Sequence, residues 1–212
     1  MDQTSKAKIV VEKLEKMYPD ATCSLNYSSA LQLLIATRLS AQCTDARVNI
    51  VTPALFDRFK SAEDFAEANP EEIAEYIHSC GFFRTKSKDI VDMCKIIVSE
   101  FDGEVPSNME DLTSLPGVGR KTANLVLGIV YGKPGIVVDT HFSRVTNRLG
   151  FHNTKNPEKI EKIMLELIPP EVSQKFGHQL VTHGRNICKA VKPKCEQCDL
   201  KSECDYYAKN KN

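Results

Sequence analysis

Four cysteines fall within the stretch "CKAVKPKCEQCDLKSEC" near the end of the chain. Cys188, Cys195, Cys198 and Cys204 make a C-x6-C-x2-C-x5-C array. Thiols this close together, on a loop too polar to be core, suit a metal centre. Zinc and a 4Fe-4S cluster both accept four thiolates, and the presence of only one CxxC knuckle leans toward iron–sulfur. Lys189, Lys192 and Lys194 share the loop, where they can meet phosphates. Cys23, Cys43, Cys80 and Cys94 are scattered at helical positions and read as small buried hydrophobes.

A second group of reactive residues lies in "LPGVGRKTANLVLGIVYGKPGIVVDTH", from Leu115 to His141. Pro116, Gly117, Val118 and Gly119 predict a tight turn that another backbone can approach closely. A helix beginning near Gly119 would point amide donors into that turn, an arrangement that suits a phosphate. Arg120 and Lys121 oppose the helix dipole, at a cost of about 0.3–1 kcal/mol each, and a locally unfavourable choice points to function. The positive helix end and the adjacent Arg120 disfavour the Lys121 ammonium, and a neutral lysine is a nucleophile suited to Schiff-base chemistry. The plainer reading of Lys121 is a solvated side chain on a helix face. Asp139 is the only acid in the run; it is placed to cap the helix of "THFSRVTNRLG" and to act as a rigidly held carboxylate.

The elements that must carry these groups are helices. Ile9, Val10, Leu14 and Met17 make one amphipathic stripe, and "SALQLLIATRLSAQ" is apolar enough for a core helix. Thr44 or Asp45 caps the next helix, with Pro53 as a candidate kink. Asn69 and Pro70 open "NPEEIAEYIHSCG", which is expected to end at Gly81. "KSKDIVDMCKIIVSEF", a helix opened by Asn156-Pro157, and "EVSQKFGHQLVTHGRNIC" follow. "GIVVD" is the best strand signal and is short. About ten helices on short loops define an all-α class.

The chain has 212 residues and is 42% hydrophobic, enough for one large or two small domains. Its 28 basic and 28 acidic residues balance, but their distribution does not. From Phe56 to Tyr76 seven acids face two bases; from Leu115 to Lys155 six bases face Asp139 alone. That polarity suits a polyanion on one face, or two ordinary solvated faces. The first residues lack a signal-peptide pattern, and no apolar run approaches a membrane span. The expected location is the cytoplasm, with the nucleoid if bacterial or the nucleus if eukaryotic, where disulfides are disfavoured.

Hairpin, lysine, distant aspartate and cysteine array together resemble the endonuclease III family, bifunctional DNA glycosylase/AP lyases of the helix-hairpin-helix superfamily. The resemblance runs from "SALQLLIATRLSAQCTD" to Cys204. It implies two helical domains with a DNA-binding cleft between them. A helical barrel would span residues 22–133, with the helix-hairpin-helix at about 108–132. Residues 1–21 and 134–212 would form an iron–sulfur domain with its cluster loop at 188–204. It further implies Lys121 as nucleophile, Asp139 as its catalytic partner, and the four cysteines of the array as ligands of a 4Fe-4S cluster. DNA contacts would come from Gln42, which fills the hole left by a flipped base, from Gly117, Val118, Gly119 and Arg120 of the hairpin, and from Lys192 and Lys194. The "GFFRTKSK" loop matches a DNA wedge, with Phe82 where leucine is usual. The implied partner is double-stranded DNA with a damaged base or an abasic site, bound by a monomer and without a membrane.

Two other readings compete. A monofunctional mismatch glycosylase shares hairpin and cluster, but typically lacks a lysine at position 121. A non-catalytic DNA-binding or redox protein would not need Lys121 and Asp139 together.

Overall fold

The computed structural model describes residues 2–210; Met1, Lys211 and Asn212, at the ends of the expected iron–sulfur domain, lie outside them. In chain order the helices are α1 (Gln3–Met17), α2 (Ala30–Ser40), α3 (Asp45–Arg58), α4 (Ala62–Glu67), α5 (Pro70–Ile77) and α6 (Phe83–Glu100). They continue with α7 (Met109–Ser114), α8 (Arg120–Tyr131), α9 (Thr140–Leu149), α10 (Pro157–Leu167), α11 (Ser173–Asn186) and α12 (Asp205–Asn210). Their starts follow short polar side chains that satisfy otherwise orphaned amides. Ser29, Thr44, Asn108, Asp139 and Asn156 each accept from an amide of the first turn. Ser61 and Asp64 form a reciprocal capping box, and Asn69 caps α5 with Pro70 at its first position.

The chain divides into two units, Ser24–Gly132 and the combination of Met1–Cys23 with Lys133–Asn212. The contiguous unit buries Leu33, Leu34, Ile35 and Leu39 of α2 with Phe65, Ile73, Ile77, Ile90, Ile97, Leu112 and Val126. This core fixes α2, α6 and α8, and so the turn before α8. The other unit packs Val10 and Leu14 of α1 against Phe142, Val145, Ile160, Met164, Phe176 and Leu180, with Leu200 of the cysteine loop. Buried Lys6 pins α1 in place by donating to the Leu149 carbonyl at 2.7 Å and pairing with Asp205 at 2.8 Å.

The described residues contain twelve α-helices and no strand. "GIVVD" lies in the connection between α8 and α9 and, among the described residues, joins no strand ladder. Helix α5 ends at Ile77, not Gly81, and α6 begins at Phe83, so most of "GFFRTKSK" is helix and not loop. The reversal is made by Phe82, a non-glycine residue at φ 59°. Cys80 and Cys94 are buried as expected, with burial pushing their thiols up to about 11 and about 12. Cys23 and Cys43 are only half-buried, since they lie at loops leading into helices and not on core faces.

Candidate active site

Helix α7, the turn at Pro116–Gly119 and helix α8 form the hairpin. Gly117 has φ +73°, a conformation L side chains rarely adopt. Beneath it Arg38 of α2 binds Asp89 of α6, with Nε 2.9 Å from Oδ2. The turn therefore rests on a half-buried ion pair supplied by two core helices. Gly119 is the residue before α8; no side chain caps that helix start, and the space where a Cβ would stand is open. A backbone phosphate can approach an end of this kind.

Arg120 and Lys121 are exposed in the first turn of α8. Val118 is different. Its side chain is buried at 6% exposure and its N–H donates to the Leu115 carbonyl at 3.1 Å. Its apolar side chain anchors the turn in the core, and its amide is used within the turn.

Asp139 caps α9, with Oδ1 accepting from the Phe142 N–H at 2.7 Å. One oxygen is thus held rigidly, while Oδ2 is left for other work.

Gln42 and Phe82 occupy neighbouring turns. A Cβ on Gly81 would lie 3.5 Å from the Gln42 carbonyl. Both residues adopt left-handed backbone conformations, φ 53° and φ 59°, and both side chains are exposed, Phe82 at 66%. Such a conformation is an outlier for a bulky residue and points to a functional constraint.

In the other unit Cys188, Cys195, Cys198 and Cys204 all line one recess, with about 290 Å³ of empty space, part of it open solvent. Burial, followed by the neighbouring sulfurs, pushes Cys198 up to about 11 and raises Cys204. Thiols that resist ionisation together in this way are relieved by a cation. Among the described residues no three His, Cys, Asp or Glu side chains form a group fit for a single metal ion. Lys192, at φ 51°, and Lys194 are exposed on the loop.

Several supporting residues have no signature in the sequence. Arg148 of α9 donates to Cys188 Sγ at 3.3 Å and to the Lys189 and Ala190 carbonyls at 2.7 and 3.2 Å, clamping the start of the loop. His183 of α11 is 3.5 Å from Cys198 Sγ and 3.1 Å from the Tyr18 hydroxyl. Its burial pushes its pKa down to about 4.

A hairpin with an open helix start and an exposed lysine, on an all-helical scaffold, defines the class: a model of HhH-GPD superfamily base excision DNA repair proteins matches residues 35–170. Endonuclease III of Synechocystis sp. (strain ATCC 27184 / PCC 6803 / Kazusa) is 52% identical over 192 residues, covering 90% of this chain and 88% of the relative. A non-covalent endonuclease III–DNA complex superposes with a TM-score of 0.92 at 39% identity, covering 99% of this chain and 98% of that one. A trapped endonuclease III–DNA covalent intermediate gives 0.93 at 38% identity, with both chains fully covered. The chain belongs to the endonuclease III family.

Proposed function

We infer that this protein is a base excision repair enzyme that removes oxidised pyrimidines from duplex DNA and then cuts the strand 3′ to the abasic site. The family supports the glycosylase and lyase activities. The single observation that carries the residue assignment is Lys121, exposed in the first turn of a helix whose start no side chain caps.

In this reading the target nucleotide is flipped out of the stack, at a cost of a few kcal/mol. Gln42, and Phe82 beside it, enter the gap and offset part of that cost. Gly117, Gly119 and Arg120 engage the DNA backbone at the hairpin. The Lys121 amine attacks C1′, the C1′–N bond breaks, and the base leaves with the bonding pair. Positive charge developing on the sugar is stabilised by the Asp139 carboxylate, whose rigid cap holds it without reorganisation. The opened sugar is then an imine of Lys121. The imine acidifies C2′–H; loss of that proton expels the 3′ phosphate.

The cysteine array supports a 4Fe-4S cluster in preference to zinc. Four thiolates suit both, and the single CxxC knuckle, with all four cysteines lining one recess, favours the cluster. When bound, the cluster supplies a cross-link that orders a loop unable to make its own core. Lys192 and Lys194 are then held outward for phosphates. A cytoplasmic, monomeric enzyme acting on the nucleoid is in keeping with this reading, and among the described residues no helix is long and apolar enough to cross a membrane.

The test is borohydride reduction on abasic duplex DNA. Wild-type protein should form a covalent adduct and Lys121→Gln should not; an adduct of undiminished yield from the variant would remove Lys121 from the mechanism.

A further inference from the structure

His183 is almost wholly buried, 1% exposed, and no step of the excision and elimination proposed above uses it. Its two ring nitrogens have one partner each. Nδ1 faces the Tyr18 hydroxyl at 3.1 Å, and Nε2 faces Cys198 Sγ at 3.5 Å. The Tyr18 ring meets the imidazole edge-on, with centroids 5.9 Å apart. A neutral imidazole carries one N–H and one lone pair, so the two contacts constrain each other. A metal-bound thiolate has no proton to give; Cys198 Sγ must then accept, and Nε2 must carry the hydrogen. Nδ1 is left as an acceptor, which the Tyr18 O–H fills.

We propose that Tyr18 and His183 are positioning residues for the cluster, with Tyr18 fixing the imidazole as its Nε2–H tautomer so that it donates a hydrogen bond to the Cys198 sulfur. The proposal rests on the assignment of the cysteine array to a 4Fe-4S cluster. Cys198 thereby gains a donor from core helix α11 in addition to the Leu200 amide, whereas Cys188 receives the charged Arg148. Partners of this kind hold a ligand's direction and tune the metal. A hydrogen bond to a cluster sulfur stabilises the more negative, reduced state and raises the reduction potential. Tyr18 follows directly on α1, so the relay also ties the first helix of the chain to the ligand loop.

The test begins with iron and sulfide content and the visible spectrum of wild-type protein. Zinc in place of iron would overturn the cluster assignment alone, because the ring's tautomer is read separately, from the ¹⁵N shifts of His183. An Nε2–H ring supports the proposal; an Nδ1–H ring or an imidazolium overturns it. In the iron-loaded protein, His183→Leu should lower the reduction potential and speed bleaching by a chelator about 10-fold or more. Tyr18→Phe, which keeps the ring and its packing, should move both in the same direction by less, and His183→Gln should restore part of the loss. Tyr18→Phe and His183→Leu proteins with wild-type potential and bleaching rate would overturn it, whatever their thermal stability. If His183→Leu does not fold, Tyr18→Phe and the tautomer still decide.

Discussion

Gly117 sits directly over the Arg38–Asp89 ion pair. A Cβ at Gly117 would lie 2.3 Å from Arg38 Nε and 2.9 Å from Asp89 Oδ2. The positive φ alone costs an alanine about 1–2 kcal/mol, and the guanidinium would have to leave its carboxylate as well. Gly117→Ala is expected to lower stability by roughly 2 kcal/mol or more and to weaken DNA binding, because the turn can no longer rest on α2 and α6. Thermal melting and a binding isotherm check both. A variant with unchanged melting and affinity would show that the turn is not held from below.

Lys121→Gln removes an exposed amine and touches no core contact. Melting temperature and affinity for abasic duplex should stay close to wild type, whereas strand cleavage should fall by several orders of magnitude. Gel electrophoresis of an end-labelled duplex reads this directly. Cleavage within a few-fold of wild type would require another nucleophile.

Two substitutions at Asp139 separate its roles. Asparagine caps a helix about as well as aspartate, while alanine loses about 1 kcal/mol. Asp139→Asn should therefore keep stability and lose excision, by 100-fold or more, since a charge stabilising the transition state is gone. Asp139→Ala should lose both. Were Asp139→Asn to keep the wild-type excision rate, the residue would be a cap and nothing else.

Gln42→Ala should slow removal of a base-paired lesion more than cleavage at a preformed abasic site, because only the first substrate has to be fully unstacked. Single-turnover rates on matched duplexes give the comparison. Equal slowing on both would assign Gln42 to general affinity.

The cysteine loop makes a prediction of its own. Protein purified without chelators should be brown, and Cys198→Ser should lose colour, stability and affinity. Its binding should also depend less on salt, as Lys192 and Lys194 lose their phosphates. A steeper or unchanged salt slope would mean that those lysines do not contact the DNA backbone.

The sequence makes some of this site legible and hides the rest for physical reasons. Capping is local chemistry, so Asp139 before "THF", Asn69 before Pro70 and Thr44 before Asp45 all appear where their side chains are read. The thiol array is equally local. Nothing local predicts that Phe82 adopts a left-handed conformation, because aromatic residues avoid it; the helical pattern begins at Lys86, whereas α6 begins at Phe83. "GIVVD" has strand composition, but a strand needs a partner, and among the described residues it joins no ladder. Val118 sits in a motif of exposed residues yet turns inward to fill the core. The Tyr18–His183–Cys198 contacts join residues separated by 165 and 15 positions, beyond any helical period.

The unit that holds the cysteines is made from both ends of the chain, and this sets an order of events during synthesis. Lys6 finds one carboxylate partner 199 positions later, at Asp205. At about 5–20 residues per second, α1 leaves the ribosome roughly 10–40 s before that partner exists. The segment Ser24–Gly132, by contrast, is continuous and carries its own buried core. The nascent chain can thus complete the hairpin-bearing half first, with the α1 segment still lacking the partners it packs on. Until Cys204 emerges the proposed ligand set is short by one, so delivery of the proposed cluster would fall among the last steps of the enzyme's assembly.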